Sequence, residues 1–375
     1  MQISLRWRHL WLAVLVLFAP PAIAEAHVKW FSDFSYEDAP RTFAQVLSPL
    51  TLGMALLSIV AIGALVVVDR WSSAQSWRVR AEDFLAAFKE NSTVIIRIAT
   101  GATLLLAWQA GTLLTHELRT ANPFVGWGQF ALALLLCLPI TTPLAGAGLL
   151  ALLIYAIFQV GLFHMLDYMH FAGIGIYLLL SNLTLERRAI RLPILYATTG
   201  FSLLWLGIEK LVYPGWAGYV ITENPQLALG FPVAFFLTGA AFVEISLGYL
   251  VIIGLMSRSL AAVITLVFFT TTLVFGRVEV IGHTALHAIL IVFLLNGPGT
   301  VYDAPITFHR RLGLRTAFAM VNFALVFSVL LGAYSFGAQR EFLTAQRVGM
   351  SFSPPGLAVR FPSGAIPSAV GFSPP

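Results

Sequence analysis

The chain has 375 residues, of which 58% are hydrophobic and only 10% charged, with a mean hydropathy of +0.85. That balance excludes a soluble globular domain and describes a polytopic, all-α transmembrane helical bundle. The single cysteine, Cys137, excludes an internal disulfide and a two-cysteine thiol relay, and the net charge of +5 comes from arginines gathered between apolar segments, which marks topology rather than a nucleic-acid partner.

Residues 1–26 have the layout of a secretory signal peptide: Arg6 and Arg8, an apolar run from Leu10 to Phe18, then Pro20, Pro21 and small residues. Two A-x-A sites follow, Ala22-Ile23-Ala24 and Ala24-Glu25-Ala26. Cleavage after the second makes His27 the mature N-terminus, where amine and imidazole together suit Cu(II), as in histidine-brace copper proteins. The next stretch, 27–47, carries Trp30, Phe31, Phe34 and Tyr36 and reads as a periplasmic segment that caps the outer mouth.

Residues 48–92 hold a first transmembrane helix near 48–69 and a cytoplasmic amphipathic segment, in which Trp77, Phe84, Leu85 and Phe88 alternate with charge. Apolar runs near 93–115, 127–142, 144–164, 168–184, 193–213, 228–253, 257–276, 280–296 and 315–336 bring the expected total to about ten helices. With the mature N-terminus outside, inner loops carry Arg70, Arg78, Arg80, Lys89, Arg187, Arg188, Arg191, Arg258, Arg310, Arg311 and Arg315. Outer loops and helix ends carry only Arg119, Lys210 and Arg277. Both mature termini are then periplasmic, and 337–375, rich in Pro, Gly and Ser with two FSPP copies, is expected to be a disordered tail.

Residues 93–184 and 193–297 read as two copies of one four-helix unit. Arg97 to Gly111 opens the first and Thr199 to Lys210 the second. Each continues into an outer loop with proline and aromatics, Asn122-Pro-Phe-Val-Gly-Trp127 and Tyr213-Pro-Gly-Trp216, and each ends in a short helix led by an acid and a histidine, Asp167 with His170 and Glu279 with His283. An even number of helices per unit makes the copies parallel, related by an axis along the membrane normal. With Gly207-Ile-Glu-Lys210 at the end of a first helix, the pattern resembles the DoxX-like membrane family, closely in the second unit and weakly in the first, where Gly111 is followed by no lysine. The resemblance implies a bacterial inner-membrane protein, a quinone-linked redox role of the thiosulfate:quinone oxidoreductase kind, and association with a respiratory or oxidase complex.

Six of the eight histidines, His27, His116, His164, His170, His283 and His287, fall on the expected periplasmic side. Glu279, His283 and His287 recur every four residues and form a ladder on one helix face; His164, Asp167 and His170 recur every three and stack if the helix runs through. Titrating groups facing lipid are costly, so both ladders should face the bundle interior, between the helices at 168–184 and 280–296. Imidazoles with a nearby carboxylate suit copper or another transition metal, with His283, His287, His170 and His27 as ligands, and with Glu279, Asp167 and Glu209 orienting them or moving protons. His116, His164 and Lys210 complete a cofactor site. A haem b between facing histidines, a quinone pocket without metal, a transporter or oxidase-assembly partner, and plain hydrogen bonding between helices remain open readings of the same residues. Lys210 has a second option, neutralising Glu209; Glu244, midway along its helix, needs an internal partner; Arg97 is expected to snorkel.

Overall fold

Ser48 and Pro49 fix where the first long helix begins. The Ser48 hydroxyl accepts the Thr51 amide at 3.2 Å, and Pro49 occupies the first turn, where a missing N–H costs nothing. Asn122 and Pro123 repeat the device, with the Phe124 amide 3.0 Å from Asn122 Oδ1. The computed structural model describes residues 29, 35–36, 38–115, 117–120, 122–183, 189–275, 282–297 and 305–348, with backbone alone at 270–275 and 348. Its main helices are α1 (Pro49–Ser72), α2 (Ser76–Ala86), α3 (Ser92–Gln109), α4 (Pro123–Leu135), α5 (Thr142–Val160), α6 (Met169–Leu179), α7 (Arg191–Val212), α8 (Pro214–Glu223), α9 (Val233–Ile253), α10 (Ser257–Phe275), α11 (Thr284–Asn296) and α12 (Leu312–Val348). Among the described residues there is no strand.

Among the described residues seven helical stretches are long and apolar enough to cross a membrane: Pro49–Ser72, Lys89–Gln109, Pro139–Val160, Leu162–Leu179, Arg191–Val212, Val233–Ile253 and Leu312–Arg347. The apolar helices Pro123–Leu135, Ser257–Phe269 and Thr284–Asn296 are shorter. Leu56 and Leu57 on α1, Phe158 on α5, Leu266 on α10 and Val321, Leu325 and Val329 on α12 stay exposed, as lipid-facing side chains do.

Three expectations about element bounds need correction. The run at 127–142 is divided: α4 stops at Leu135 and a tight turn at Pro139–Thr141 leads into α5, because Pro139 has no N–H with which to continue a helix. The ladder of His164, Asp167 and His170 does not lie on one continuous helix. Gly161, at φ 88°, ends α5; a single turn at Leu162–Met165 and a 3₁₀ turn at Leu166–Tyr168 precede α6. The expected tail begins too early, since α12 runs on to Val348: 338–348 contains neither glycine nor proline and buries Ala338 and Ala345.

The helices pack in a ring-like order. α3 packs on α4, α4 on α5 and α5 on α6; α7 packs on α9, α9 on α10 and α10 on α11. Between these groups α6 packs on α7, and α11 returns to α3; α1 lies against α9 and α12. One end is closed by guanidinium groups. Arg78 bonds Glu82 at 2.7 Å and Asp69 at 2.9 Å, Arg258 donates to the Leu294 and Leu295 carbonyls ending α11, and Arg97, instead of snorkelling, is buried and donates twice to the Leu136 carbonyl at the end of α4.

A close backbone approach joins α7 to α9, where a Cβ built on Gly200 would lie 2.5 Å from the Gly248 carbonyl oxygen, and one on Gly248 2.5 Å from that of Gly200. Substituting Gly200→Val should therefore cost about 1–3 kcal/mol and lower the thermal midpoint in detergent, whereas Gly239→Ala, with open space around it on α9, should leave the midpoint unchanged.

Candidate functional site

Opposite the arginine-closed end, a cluster of buried polar side chains collects where the N-terminal segment meets α7, α12 and the turns before α6. Its centre is Lys29. The ammonium bonds Asp167 Oδ2, from the 3₁₀ turn, and lies 2.6 Å from Glu209 Oε2, from the last turn of α7. All three side chains are about 1% exposed. Tyr334 of α12 donates to the same Glu209 oxygen at 3.2 Å, and the rings of Tyr36 and Trp216 stand 5.9 and 5.7 Å from the ammonium. Burial alone would lower the Lys29 pKa; Asp167 first and Glu209 next outweigh it and hold the group well above the ordinary lysine value, so it stays charged.

A second polar chain lies beside the first. His164 Nε2 and Tyr168 OH both donate to Glu117 Oε1, at 2.8 and 2.5 Å, and Tyr36 OH lies 3.1 Å from His164 Nδ1. Burial pushes the Tyr36 phenol well up, which keeps it protonated. Nε2 carries the proton that Glu117 accepts, and the direction of the Tyr36–Nδ1 bond follows from whether Nδ1 also carries one.

Glu117 owes its place to a shaped loop. The Leu113 amide bonds the Leu118 carbonyl at 2.5 Å, and Leu114 adopts φ 62°, a conformation that bulky residues rarely take. Gln129, fully buried on α4, holds it: its Oε1 accepts the Leu114 amide at 2.9 Å and its Nε2 donates to the Leu104 and Thr112 carbonyls. The N-terminal segment is fastened separately, by the Arg41 amide on the Val212 carbonyl at 3.0 Å and by Trp216 Nε1 on Asp38 at 2.8 Å.

The sequence-derived site residues sort into three sets. Asp167, Glu209 and His164 come together as above. His170, His283 and His287 form a separate group: His283 stacks on Phe268 at 4.9 Å, His287 on Phe269 at 4.9 Å, the two imidazole centroids are 6.5 Å apart, and His170 lies close enough to His283 to interact electrostatically. His27, His116 and Glu279 lie outside the described residues. Lys210 belongs to neither group. It neutralises Glu244 of α9 at 2.6 Å, not Glu209, because successive residues on α7 point about 100° apart. The expected single site between the helices at 168–184 and 280–296 is thus corrected to an acid cluster centred on the end of α7 and a histidine group at α10 and α11. Among the described residues no three His, Cys, Asp or Glu side chains gather to hold a metal ion.

Lys29, Tyr36, Glu117 and Gln129 carry the arrangement, yet of these the sequence marks only Tyr36, among the aromatics of the N-terminal segment. The available signal for Lys29 was a lone lysine among aromatics in a segment expected to cap the bundle. No family model, no curated protein and no solved structure matches the chain.

Removing Lys29 alone leaves two buried carboxylates without their cation, so Lys29→Ala should cost about 3–5 kcal/mol, whereas Lys29→Met combined with Asp167→Asn and Glu209→Gln should recover most of that loss in the same unfolding assay. Glu117→Gln keeps the volume but removes the charge that two donors share; a loss of about 1.5–3 kcal/mol is expected, the introduced amide still being able to accept one bond.

Proposed function

We propose that this chain is a DoxX-like component of proton-coupled redox chemistry in the bacterial inner membrane, serving a quinone at its periplasmic face. The observation that carries this reading is the side-by-side placement of the Tyr36–His164–Glu117–Tyr168 chain and the Asp167–Lys29–Glu209 bridge at one end of an apolar bundle. Quinone reduction takes up two electrons and two protons, so a quinone site needs donors and acceptors for two carbonyl oxygens and a route for protons. Imidazole, carboxylate and phenol in one hydrogen-bonded row supply such groups.

A crevice of about 530 Å³ opens at the loop that carries Glu117 and at the end of α5. Leu113, Leu118, Tyr155, Ala156 and Val160 give it an apolar wall, and Arg119, Thr120, Asn122 and Gln159 a polar rim, in the size range of small-molecule sites. Leu118 follows Glu117 directly, and Val160 lies four residues before His164, across the break at Gly161.

In this reading ten helices enter the membrane as two parallel four-helix units plus two flanking helices, with both mature termini periplasmic. The packing order supports the repeat: the last helix of each unit, α6 or α11, packs on the first helix of the other, α7 or α3. Glu209 and Asp167 would then come from the two different units. A second reading has its own observation. Both ring nitrogens of His287 are buried without a hydrogen-bond partner among the described residues, with His283 one turn away and His170 near it, which favours a transition metal such as copper held with Glu279.

Protein in nanodiscs should bind a short-tailed ubiquinone saturably, read by tryptophan quenching. Filling the crevice with Val160→Trp should weaken binding about tenfold or more, a change of about 1.4 kcal/mol. No saturable binding would end the quinone reading; stoichiometric copper lost in a His283→Ala, His287→Ala variant would establish the metal reading instead.

A further inference from the structure

The Lys29 ammonium comes from the N-terminal segment, while the two carboxylates and the Trp216 ring that receive it belong to the bundle and its loops; the Tyr36 ring comes from the same segment as Lys29. The receiving groups are Asp167 and Glu209, with the Tyr36 and Trp216 rings within 5.9 Å. Two carboxylates and two aromatic faces are the surroundings that select an organic ammonium, through charge-assisted hydrogen bonds on one side and the ring quadrupoles on the other. A hard metal cation would call for more oxygen ligands and would gain nothing from the rings.

A second observation points to a ligand. Asp167 Oδ1 and Glu209 Oε1 are buried and have no hydrogen-bond partner among the described residues, and the Tyr213 hydroxyl, on the ring stacked 4.0 Å from Trp216, is in the same condition. Buried carboxylate oxygens without donors are costly, so this pocket has more hydrogen-bonding capacity than one lysine uses.

We propose that the bundle contains a binding pocket for a protonated primary alkylamine, and that Lys29 occupies it as a tethered ligand carried by the N-terminal segment. Among the described residues the Arg41 amide, the Asp38 carboxylate and the Tyr36 hydroxyl bond this segment to the bundle, and a free amine takes the pocket only in place of the Lys29 ammonium. The assignment does not depend on the quinone reading. In the intact chain the tether supplies Lys29 at an effective concentration in the millimolar range, and free amine must compete with that.

The test is chemical rescue. Truncation by Lys29→Ala removes three methylenes and the ammonium, a gap with the composition of n-propylammonium. Thermal unfolding of the purified full chain in detergent is followed against n-propylammonium, tetramethylammonium and sodium chlorides at matched ionic strength. The expected result is a saturable rise in the Lys29→Ala midpoint with n-propylammonium alone, and no response from wild type at the same concentrations. If Lys29→Ala does not fold, Lys29→Ala with Asp167→Asn, which removes one charge of each sign, serves in its place and should respond more weakly. A folded variant indifferent to n-propylammonium, or one that responds equally to sodium, would overturn the proposal.

Discussion

A charge buried in an apolar bundle must be matched by an opposite charge, and the Asp167–Lys29–Glu209 bridge is where this chain meets that requirement most severely. Each partner comes from a different part of the sequence: the N-terminal segment, the turn before α6 and the end of α7. Desolvating any one alone would cost several kcal/mol. Each therefore holds the other two in place, and the bridge sets the position of the N-terminal segment over the end of the bundle. Tyr36 and Trp216 follow from it, since both rings pack around the ammonium while their polar atoms reach His164 and Asp38.

The apolar architecture was legible from hydropathy because spans announce themselves by length. Bounds slipped where local chemistry overrode the run of apolar residues, as at Pro139 and Gly161, or where a good helix-forming stretch after Gly337 lacked apolar character but continued on buried alanines. The site was legible in part. Asp167 and Glu209 stood out as carboxylates at helix ends in a chain with only 10% charged residues, and their meeting follows from the packing of α6 on α7. Periodicity misled for the histidines: His164 and His170 share a spacing but not a helix, because the chain changes from an α turn to a 3₁₀ turn between them. Lys29 had no periodic context at all. A lysine in a surface segment ordinarily stays in water, and only the three-dimensional proximity of two acids reverses that expectation.

The second polar chain depends on backbone as much as on side chains. Leu114 at φ 62° is tolerated because Gln129 satisfies the groups that the turn exposes, and the turn in turn presents Glu117 to His164 and Tyr168. Glu117 accepts one donor from the imidazole and one from a phenol at the same oxygen, so displacing the loop would unpair both at once. Gln129 is thus a positioning residue, acting through Glu117.

Stability does not account for the bridge. An apolar trio of similar volume would hold the same helices at least as well, because the desolvation cost of three buried charges approaches or exceeds what their attraction returns. Here the arrangement is less economical still, since one oxygen on each carboxylate has no donor among the described residues. A purely structural ion pair relaxes toward full hydrogen bonding, as Arg78 does with Asp69, Glu82 and Ser72 at the opposite end. The contrast between the two ends of one bundle separates a network that holds helices from one that keeps acceptors in reserve, and the reserve lies beside the groups able to move a proton.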